Sequence, residues 1–337
     1  MKKVLNLTHN DLDGVGSAVM VNKVFAGVAE IERVFCVYGP GLNEPVDNAV
    51  KNINQYDTVI LTDLSLSVEH VEKLRSAAKR SNTNVIIIDH HASSSESYKG
   101  GNSQNLEIRF NDEICGAKGT YLWAIDQKAD VLEYENFIEL VNIRDLWLVN
   151  NKKLKRKADR LNQLMGIIGI QKAIERFTSN PSLEYSEIEQ ELIKYDDKII
   201  RKSISSAYRT ARFKREPESM KFGENRGFLI VISDRNINEI GEAMLHEVVN
   251  YTSGKNTNYT DLLHPSIGTD IAFVEYIMII NLGLNIISFR ASAEVSDIDL
   301  SEVAKAYGGG GHPHACSCSL NEFLGRNVNF IDEIFGF

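Results

Sequence analysis

The chain has 337 residues, enough for two domains with a core each, and its 43% hydrophobic and 25% charged content is that of an ordinary soluble globular protein. No apolar run approaches the length of a membrane-spanning helix, and "MKKVLNL" gives way to Thr8-His9-Asn10 too early for a signal peptide, so the sequence predicts a cytoplasmic protein without a membrane partner. The formal net charge of -9 disfavours nonspecific attachment to long nucleic acid, but not a substrate gripped by metals and a local basic groove.

In chain order, the first half alternates strand-like and helix-like segments. "KKVLNLTH" (2–9) reads as a strand and 16–27 as a helix; 31–38 is a strand and 44–56 a helix. Residues 58–64 form a strand, 67–80 a helix starting near a serine cap, and "NVIIIDHH" (84–91) a strand. Continuous apolar runs of this kind suit strands buried on both faces of a parallel sheet, so the pattern predicts a doubly wound, mainly parallel α/β domain. Residues 116–148 read as two helices. A basic stretch, "KKLKRK" (152–157), is followed by a long helix expected over 181–213 from Pro181. Beyond Glu216-Pro217 strands return at 227–233, 269–280 and 285–292. The expected organisation is a catalytic domain over 1–180, a helical connector over 181–219 and a smaller C-terminal α/β domain over 220–337.

Three of the first-domain strands end in side chains able to ligate metal: His9, Asp11 and Asp13 after the first, Asp63 after 58–64, and Asp89, His90 and His91 at the end of 84–91. Asp145, in "NIRDLW", is a fourth candidate that follows a helix. Asp-x-Asp-Gly alone is a turn signal and a single Asp at a strand end a helix cap. Their recurrence at successive strand ends is different, because ligands sit at the carboxyl ends of the strands in open α/β sheets. Asp11, Asp13, Asp63 and Asp145 crowded together would take up protons unless cations neutralised them. Imidazole with carboxylate and no thiolate suits Mn²⁺, and also Mg²⁺, Co²⁺ or Zn²⁺. Two such ions about 3.5–4 Å apart can activate water and clamp a phosphoryl group. The cysteines, Cys36, Cys115, Cys316 and Cys318, have neither disulfide-framework nor zinc-ribbon spacing.

"HNDLDG" (9–14), "LTDLS" (61–65), "IDHH" (88–91) and "NIRDLW" (142–147) resemble the four motifs of the DHH phosphoesterase superfamily, and "GGGGHPHA" (308–315) resembles the signature of the associated DHHA1 domain. The motifs occur in the family's order and span nearly the whole chain. The resemblance implies one metal held by His9, Asp11 and Asp63 and another by Asp13, Asp63, His90 and Asp145, with Asp63 bridging. It implies that His91 faces the substrate phosphate, that Asp89 orients an imidazole, and that water rather than a serine or cysteine is the nucleophile. The two divalent cations are expected to be Mn²⁺, with Mg²⁺ or Co²⁺ as alternatives.

Gly308, Gly309, Gly310 and Gly311 would let backbone amides approach an anion without Cβ obstruction, and His312 and His314 could donate to phosphate or ribose. The resemblance adds Arg290, in "SFRAS", as a phosphate clamp. Pro313 and His314 depart from the small residues that follow the first histidine in many relatives. The 152–157 stretch and residues 198–215, which carry seven cations and no acid, read mainly as solvated surface, with a positive wall along a nucleotide backbone as the functional alternative.

The short chain resembles the small oligoribonuclease (nanoRNase) branch. The expected activity is metal-dependent hydrolysis of short oligonucleotides, RNA and also short DNA, to 5′-mononucleotides, with short oligonucleotides or nucleotides as partners and long duplex DNA excluded. Two alternatives stand beside it: action on 3′-phosphoadenosine 5′-phosphate or linear signalling dinucleotides, and a non-catalytic nucleotide-binding regulator. The oligomeric state is open, a homodimer included.

Overall fold

The computed structural model describes residues 1–37, 39–146, 148, 151–216, 226–254, 267–292, 294, 297–327, 330 and 332. The chain divides into two compact units, Met1–Lys194 and Tyr195–Phe337.

In the first unit, β1 (Lys2–His9), α1 (Leu12–Val24), β2 (Ala29–Cys36), α2 (Asn43–Lys51), β3 (Thr58–Thr62), α3 (Val68–Ser81), β4 (Asn84–Asp89) and β5 (Leu106–Phe110) follow one another. The five strands pair in the order β2-β1-β3-β4-β5, every pair parallel. Alternating side chains reach opposite faces of a strand, and both faces are apolar here. Leu5, Leu7, Val59, Leu61, Val85 and Ile87 pack beneath α2 and α3. Val4, Ile60 and Ile88 pack on the other side with α1, α4 (Gly116–Asp126) and α5 (Glu135–Asp145). The doubly wound expectation therefore holds. The strand order reverses between β1 and β3, since β2 lies on one side of β1 and β3, β4 and β5 on the other. Such a switch point opens a crevice at the carboxyl ends of the strands. His9 ends β1, and Asp63 follows β3 directly.

Some expected elements move. The helix expected over 16–27 starts at Leu12, because Asp11 caps it by accepting from the Gly14 amide at 3.0 Å. The 44–56 helix stops at Lys51 and is followed by a 3₁₀ turn, Ile53–Gln55. The end of the strand expected over 31–38 includes Tyr38, which lies outside the described residues, as does Trp147 of the fourth motif. β5 is an edge strand in which Leu106 is buried and the other four residues, Glu107 and Arg109 among them, are half-buried, too short and too polar to stand out. After α5 come α6 (Lys152–Ile168), α7 (Ile170–Ser179) and α8 (Glu187–Thr210). The helix expected from Pro181 thus starts six residues later. Ser186 and Glu189 set its start by exchanging bonds: the Glu189 carboxylate accepts from the Ser186 amide at 2.7 Å, and the Ser186 hydroxyl accepts from the Glu189 amide at 3.2 Å.

The second unit contains β6 (Arg212–Arg215), β7 (Gly227–Ile232), α9 (Ile237–Thr252), β8 (Val274–Asn281), β9 (Ile286–Ala291), α10 (Leu300–Ala306), β10 (Gly310–His312), β11 (Ala315–Ser319) and α11 (Leu320–Arg326). Its mixed sheet runs β10-β11-β9-β8-β7-β6, with only β7 and β8 parallel among these pairs. The strand expected over 269–280 begins at Val274, after a 3₁₀ turn. Phe228, Tyr276 and Phe289 stack within one face of the sheet, and α9 covers the other through Ile240, Met244 and Val248. Among the described residues, no helix is long and apolar enough to cross a membrane.

Candidate metal centre

Four carboxylates and two imidazoles gather at the switch point. His9 Nδ1 lies 2.9 Å from Asp11 Oδ2 and 3.9 Å from Asp63 Oδ2. Across the group, His90 Nε2 lies 3.4 Å from Asp63 Oδ1, 3.6 Å from Asp13 Oδ2 and 3.6 Å from Asp145 Oδ2. Ligating atoms of His9, Asp11 and Asp63 come within 4.8 Å of one another, as do those of Asp13, His90 and Asp145. Asp63, His90 and His91 form a third such set, so His91 stands within reach of the same cluster.

Asp13, Asp63 and Asp89 are each fixed by a local device. Asp13 is buried, and its two oxygens accept from the amides of Gly116 and Ala117 at 2.7 and 2.6 Å. Those amides belong to the first turn of α4, whose unsatisfied N–H groups and dipole favour a negative partner. Asp63 has φ +55, a left-handed conformation uncommon outside glycine though better tolerated by Asp, and its amide donates to the Ile88 carbonyl at 3.0 Å. The turn stops β3 and points the carboxylate back at His9 and His90. Asp89 accepts from His91 Nδ1 at 2.7 Å and from the Tyr98 hydroxyl at 2.8 Å. This pair holds the His91 ring and leaves its Nε2 as the outward nitrogen.

The electrostatics fit cations. Burial, then the charges of Asp13, Asp11, Asp145 and Asp89, pushes the Asp63 carboxyl well above the usual carboxylate range. Burial, followed by Asp13 and Asp11, raises Asp145 to about 8, and burial also raises Asp13. Asp11 goes the other way: burial opposes its ionisation, but the His9 imidazole and the Gly14 amide outweigh it. Burial lowers His90, so its imidazole is neutral with a lone pair to give. Burial also disfavours protonated His91, yet the hydrogen bond and charge of Asp89 prevail and raise it. The clearest sign is His90 Nε2. It is buried, has no hydrogen-bond partner among the described residues, and faces three carboxylate oxygens at distances too long for a good hydrogen bond. A cation between them would satisfy all four groups.

The remaining sequence-predicted residues lie in the second unit. Arg290 on β9 is half-buried and donates to the carbonyls of Phe289 and Cys316 and to Asn238 Oδ1. Its β11 neighbour is Ala315, which pairs in turn with His312 of β10, so Arg290, His312 and the glycine run share three adjacent strands. His312 is exposed; His314 Nδ1 is buried with no hydrogen-bond partner among the described residues. Gly308 precedes β10. Gly309 and Gly311 have a structural reason as well: a Cβ on them would meet the Ser317 and Ala315 carbonyls at 2.0 and 2.7 Å. Gly310 faces open space. Of the 198–215 cations, Lys198, Arg201, Lys202, Arg209 and Arg215 are exposed, and Arg215 lies over the Phe213 and Phe273 rings.

The sequence did not reveal the supports: the Gly116 and Ala117 amides, the Tyr98 hydroxyl, and Asn142, which accepts from the Cys115 amide at 2.9 Å just before α4. The only sequence trace of the first is a small pair, Gly116-Ala117, at a helix start.

Residues 3–143 match the DHH family, N-terminal domain. The chain is 26% identical over 328 residues to the oligoribonuclease NrnB of Bacillus subtilis (strain 168), covering 94% of this chain and 72% of that protein. Among solved structures it is similar to an uncharacterized protein from Helicobacter pylori G27 (16% identity, TM-score 0.45, 99% of each chain). It is also similar to a pGpG-specific phosphodiesterase, PggH, from Vibrio cholerae (14% identity, TM-score 0.45, 97% of this chain and 96% of that one).

Proposed function

We propose, from the premise that this chain belongs to the DHH family through its N-terminal domain, that it is a phosphodiesterase hydrolysing short oligonucleotides to 5′-mononucleotides with divalent cations. RNA is the expected substrate and short DNA a secondary one. The oligoribonuclease relative supports the substrate class. The observation that carries the chemistry is His90 Nε2, buried without a hydrogen-bond partner among the described residues and ringed by the Asp13, Asp63 and Asp145 carboxylates.

His9, Asp11 and Asp63 would hold one cation, and Asp13, Asp63, His90 and Asp145 the other, with Asp63 shared. When bound, two divalent ions, Mn²⁺ in preference to Mg²⁺ or Co²⁺, supply the positive charge that acidifies a water and stabilises charge on the phosphoryl oxygens. The rest of the work belongs to side chains of this chain. Asp89 accepts a hydrogen bond from His91 Nδ1 and its charge favours the imidazolium form of the ring, in which Nε2 also carries a proton and can donate to a non-bridging phosphate oxygen. Tyr98 holds Asp89 in place and keeps that donor aimed. Arg290, His312, His314 and the Gly308–Gly311 run form the substrate-binding part, in a DHHA1-like domain assigned to 220–337 and joined to the catalytic domain, 1–180, by a connector over 181–219. Guanidinium and backbone amides suit a phosphate there.

The test is chelation and restoration. Protein stripped with EDTA is mixed with a 5′-labelled pentaribonucleotide, with 3′-phosphoadenosine 5′-phosphate in a parallel arm, and Mn²⁺ is then added back. Mononucleotides from the pentamer only after Mn²⁺ addition support the proposal. Turnover of 3′-phosphoadenosine 5′-phosphate alone favours the phosphatase reading, and nucleotide binding without any turnover favours a regulator.

A further inference from the structure

Within the first unit, a second feature stands apart from the carboxylate cluster. Lys152, Lys153, Arg156, Lys157 and Arg160, all exposed on α6, line part of a cavity of about 520 Å³. Leu140 of α5 and Leu183 and Tyr185 of the segment leading into α8 line the rest. The volume lies in the range of small-molecule and cofactor sites.

A solvated helix face explains part of this. α6 is amphipathic, with Ala158, Leu161 and Leu164 buried in the core, so its outer face must be polar. Solvation alone does not explain the single sign of the charge or the apolar and aromatic residues that line the same cavity. Lys152, Arg156 and Arg160 recur every four residues, a row about 12 Å long, and like charges at that spacing repel. The sole carboxylate within 152–160, Asp159, is engaged by Lys155 at 2.9 Å and faces Arg144 at 3.6 Å. Lys152, Lys153, Arg156 and Lys157 have no ion pair among the described residues, on a chain whose formal net charge is -9. The same cavity is lined by an aromatic ring, Tyr185, which with Leu183 packs partly against the hydrophobic core and stays half-exposed. Cations and a ring lining one cavity are the two elements by which proteins hold single strands: charge follows the phosphates and the ring stacks a base.

We propose that this groove binds a segment of a short single-stranded oligonucleotide, with its phosphates on Lys152, Lys153, Arg156, Lys157 and Arg160 and a base against Tyr185. Leu140 lies on the same helix as Asp145, about 7.5 Å nearer its N-terminus along the axis, so the groove and the candidate metal centre share a support. The proposal rests on the substrate class read above but not on the chemistry of the metal centre.

The experiment uses the full chain and 5′-fluorescein-labelled pentauridylate in EDTA, so that binding is read without turnover, by anisotropy from 50 to 200 mM salt. Two variants are compared with the parent: Arg156→Ala with Lys157→Ala, and Tyr185→Leu, which keeps apolar packing and removes the ring. The double variant should bind at least tenfold more weakly at 50 mM salt, with its log–log salt slope shallower by about 1.4, the loss of two phosphate contacts on a single strand. Tyr185→Leu should bind at least fivefold more weakly with an unchanged slope. Hydrolysis of bis(p-nitrophenyl) phosphate with Mn²⁺ should be the same in all three proteins, which checks folding independently. Unchanged affinity and slope in both variants would overturn the groove assignment. Binding of 5′-uridine monophosphate as tight as that of the pentamer would overturn the strand as its occupant. A parent protein that binds the pentamer through this groove yet hydrolyses no phosphodiester would sink the proposed activity instead.

Discussion

Gly116→Ala tests how tightly the metal centre is built. A Cβ at Gly116 would lie 2.8 Å from Asp63 Cβ, 3.2 Å from Asp63 Cα and 2.9 Å from Asp13 Oδ2, where ordinary contact begins at 3.4 Å. Relief needs a shift of about 0.5 Å or more, beyond the ±0.2 Å within which metal–ligand distances are held. Neither neighbour retreats easily. The Asp63 backbone is tied to Ile88 in its left-handed turn, and Asp13 is held by the Gly116 and Ala117 amides themselves. Alanine favours a helix over glycine by up to about 1 kcal/mol, while overpacking costs about 1–3 kcal/mol. The metal-free variant should therefore be only modestly less stable than the parent. Mn²⁺ binding should weaken about 10–100-fold, the scale seen when the surroundings of metal ligands are disturbed. Titration calorimetry gives the affinity directly. Melting with and without Mn²⁺ gives it again, since each tenfold rise in Kd removes about 1.4 kcal/mol of ligand stabilisation at saturating metal. Parent-like Mn²⁺ affinity and metal-induced shift in Tm would refute the reasoning.

Further expectations separate the roles. Asp63→Ala should abolish turnover and reduce metal content, whereas His91→Ala should keep most of the metal and lose rate; equal metal loss in elemental analysis would erase that division. Arg290→Ala should raise KM on a dinucleotide by an amount worth on the order of 1.5–3 kcal/mol, with both metals retained, and unchanged kinetics would remove the second unit from the substrate site. Metal-free protein should lose stability as pH rises from about 4 towards 8. Asp145 has a folded pKa of about 8 against 3.8 when unperturbed, so the folded state holds more protons in that window and raising the pH penalises it. Mn²⁺ or Asp145→Asn should flatten the trend in Tm, and a metal-free Tm that climbs across the window more steeply than the Mn²⁺-loaded one would contradict it. The four cysteines are buried and free, and burial pushes Cys36 to about 11 and Cys316 and Cys318 to about 12. They should resist a thiol reagent at pH 7.5 until the protein unfolds, as absorbance at the dye's wavelength will report.

What the sequence made legible was the chemistry at strand ends. Apolar runs marked β1, β3 and β4, and the polar residues at or just after their ends, His9, Asp63 and His90, had to meet once those strands were parallel neighbours. Asp145 ends a helix instead, so only its motif announced it. Backbone supports were invisible for a physical reason: Gly116 and Ala117 act through amides that every residue but proline possesses. The edge strand β5 escaped because half-burial leaves no continuous apolar run. Pro181 suggested a helix start, but the capping exchange between Ser186 and Glu189 decided it. The glycine run suggests an anion cradle from sequence alone, but the carbonyls of β11 by themselves already require glycine at Gly309 and Gly311, a demand that only the strand pairing reveals.

The most direct test of the proposed function is a product time course on 5′-labelled RNA of two to twenty-four nucleotides with Mn²⁺. The chain's charge of -9 opposes a long polyanion, so grip must come from local contacts. The account predicts mononucleotide release with kcat/KM higher for substrates of about two to five nucleotides than for the 24-mer, because only a few local contacts grip the strand. Equal or faster processive digestion of the 24-mer, or no mononucleotide from any length, would contradict it.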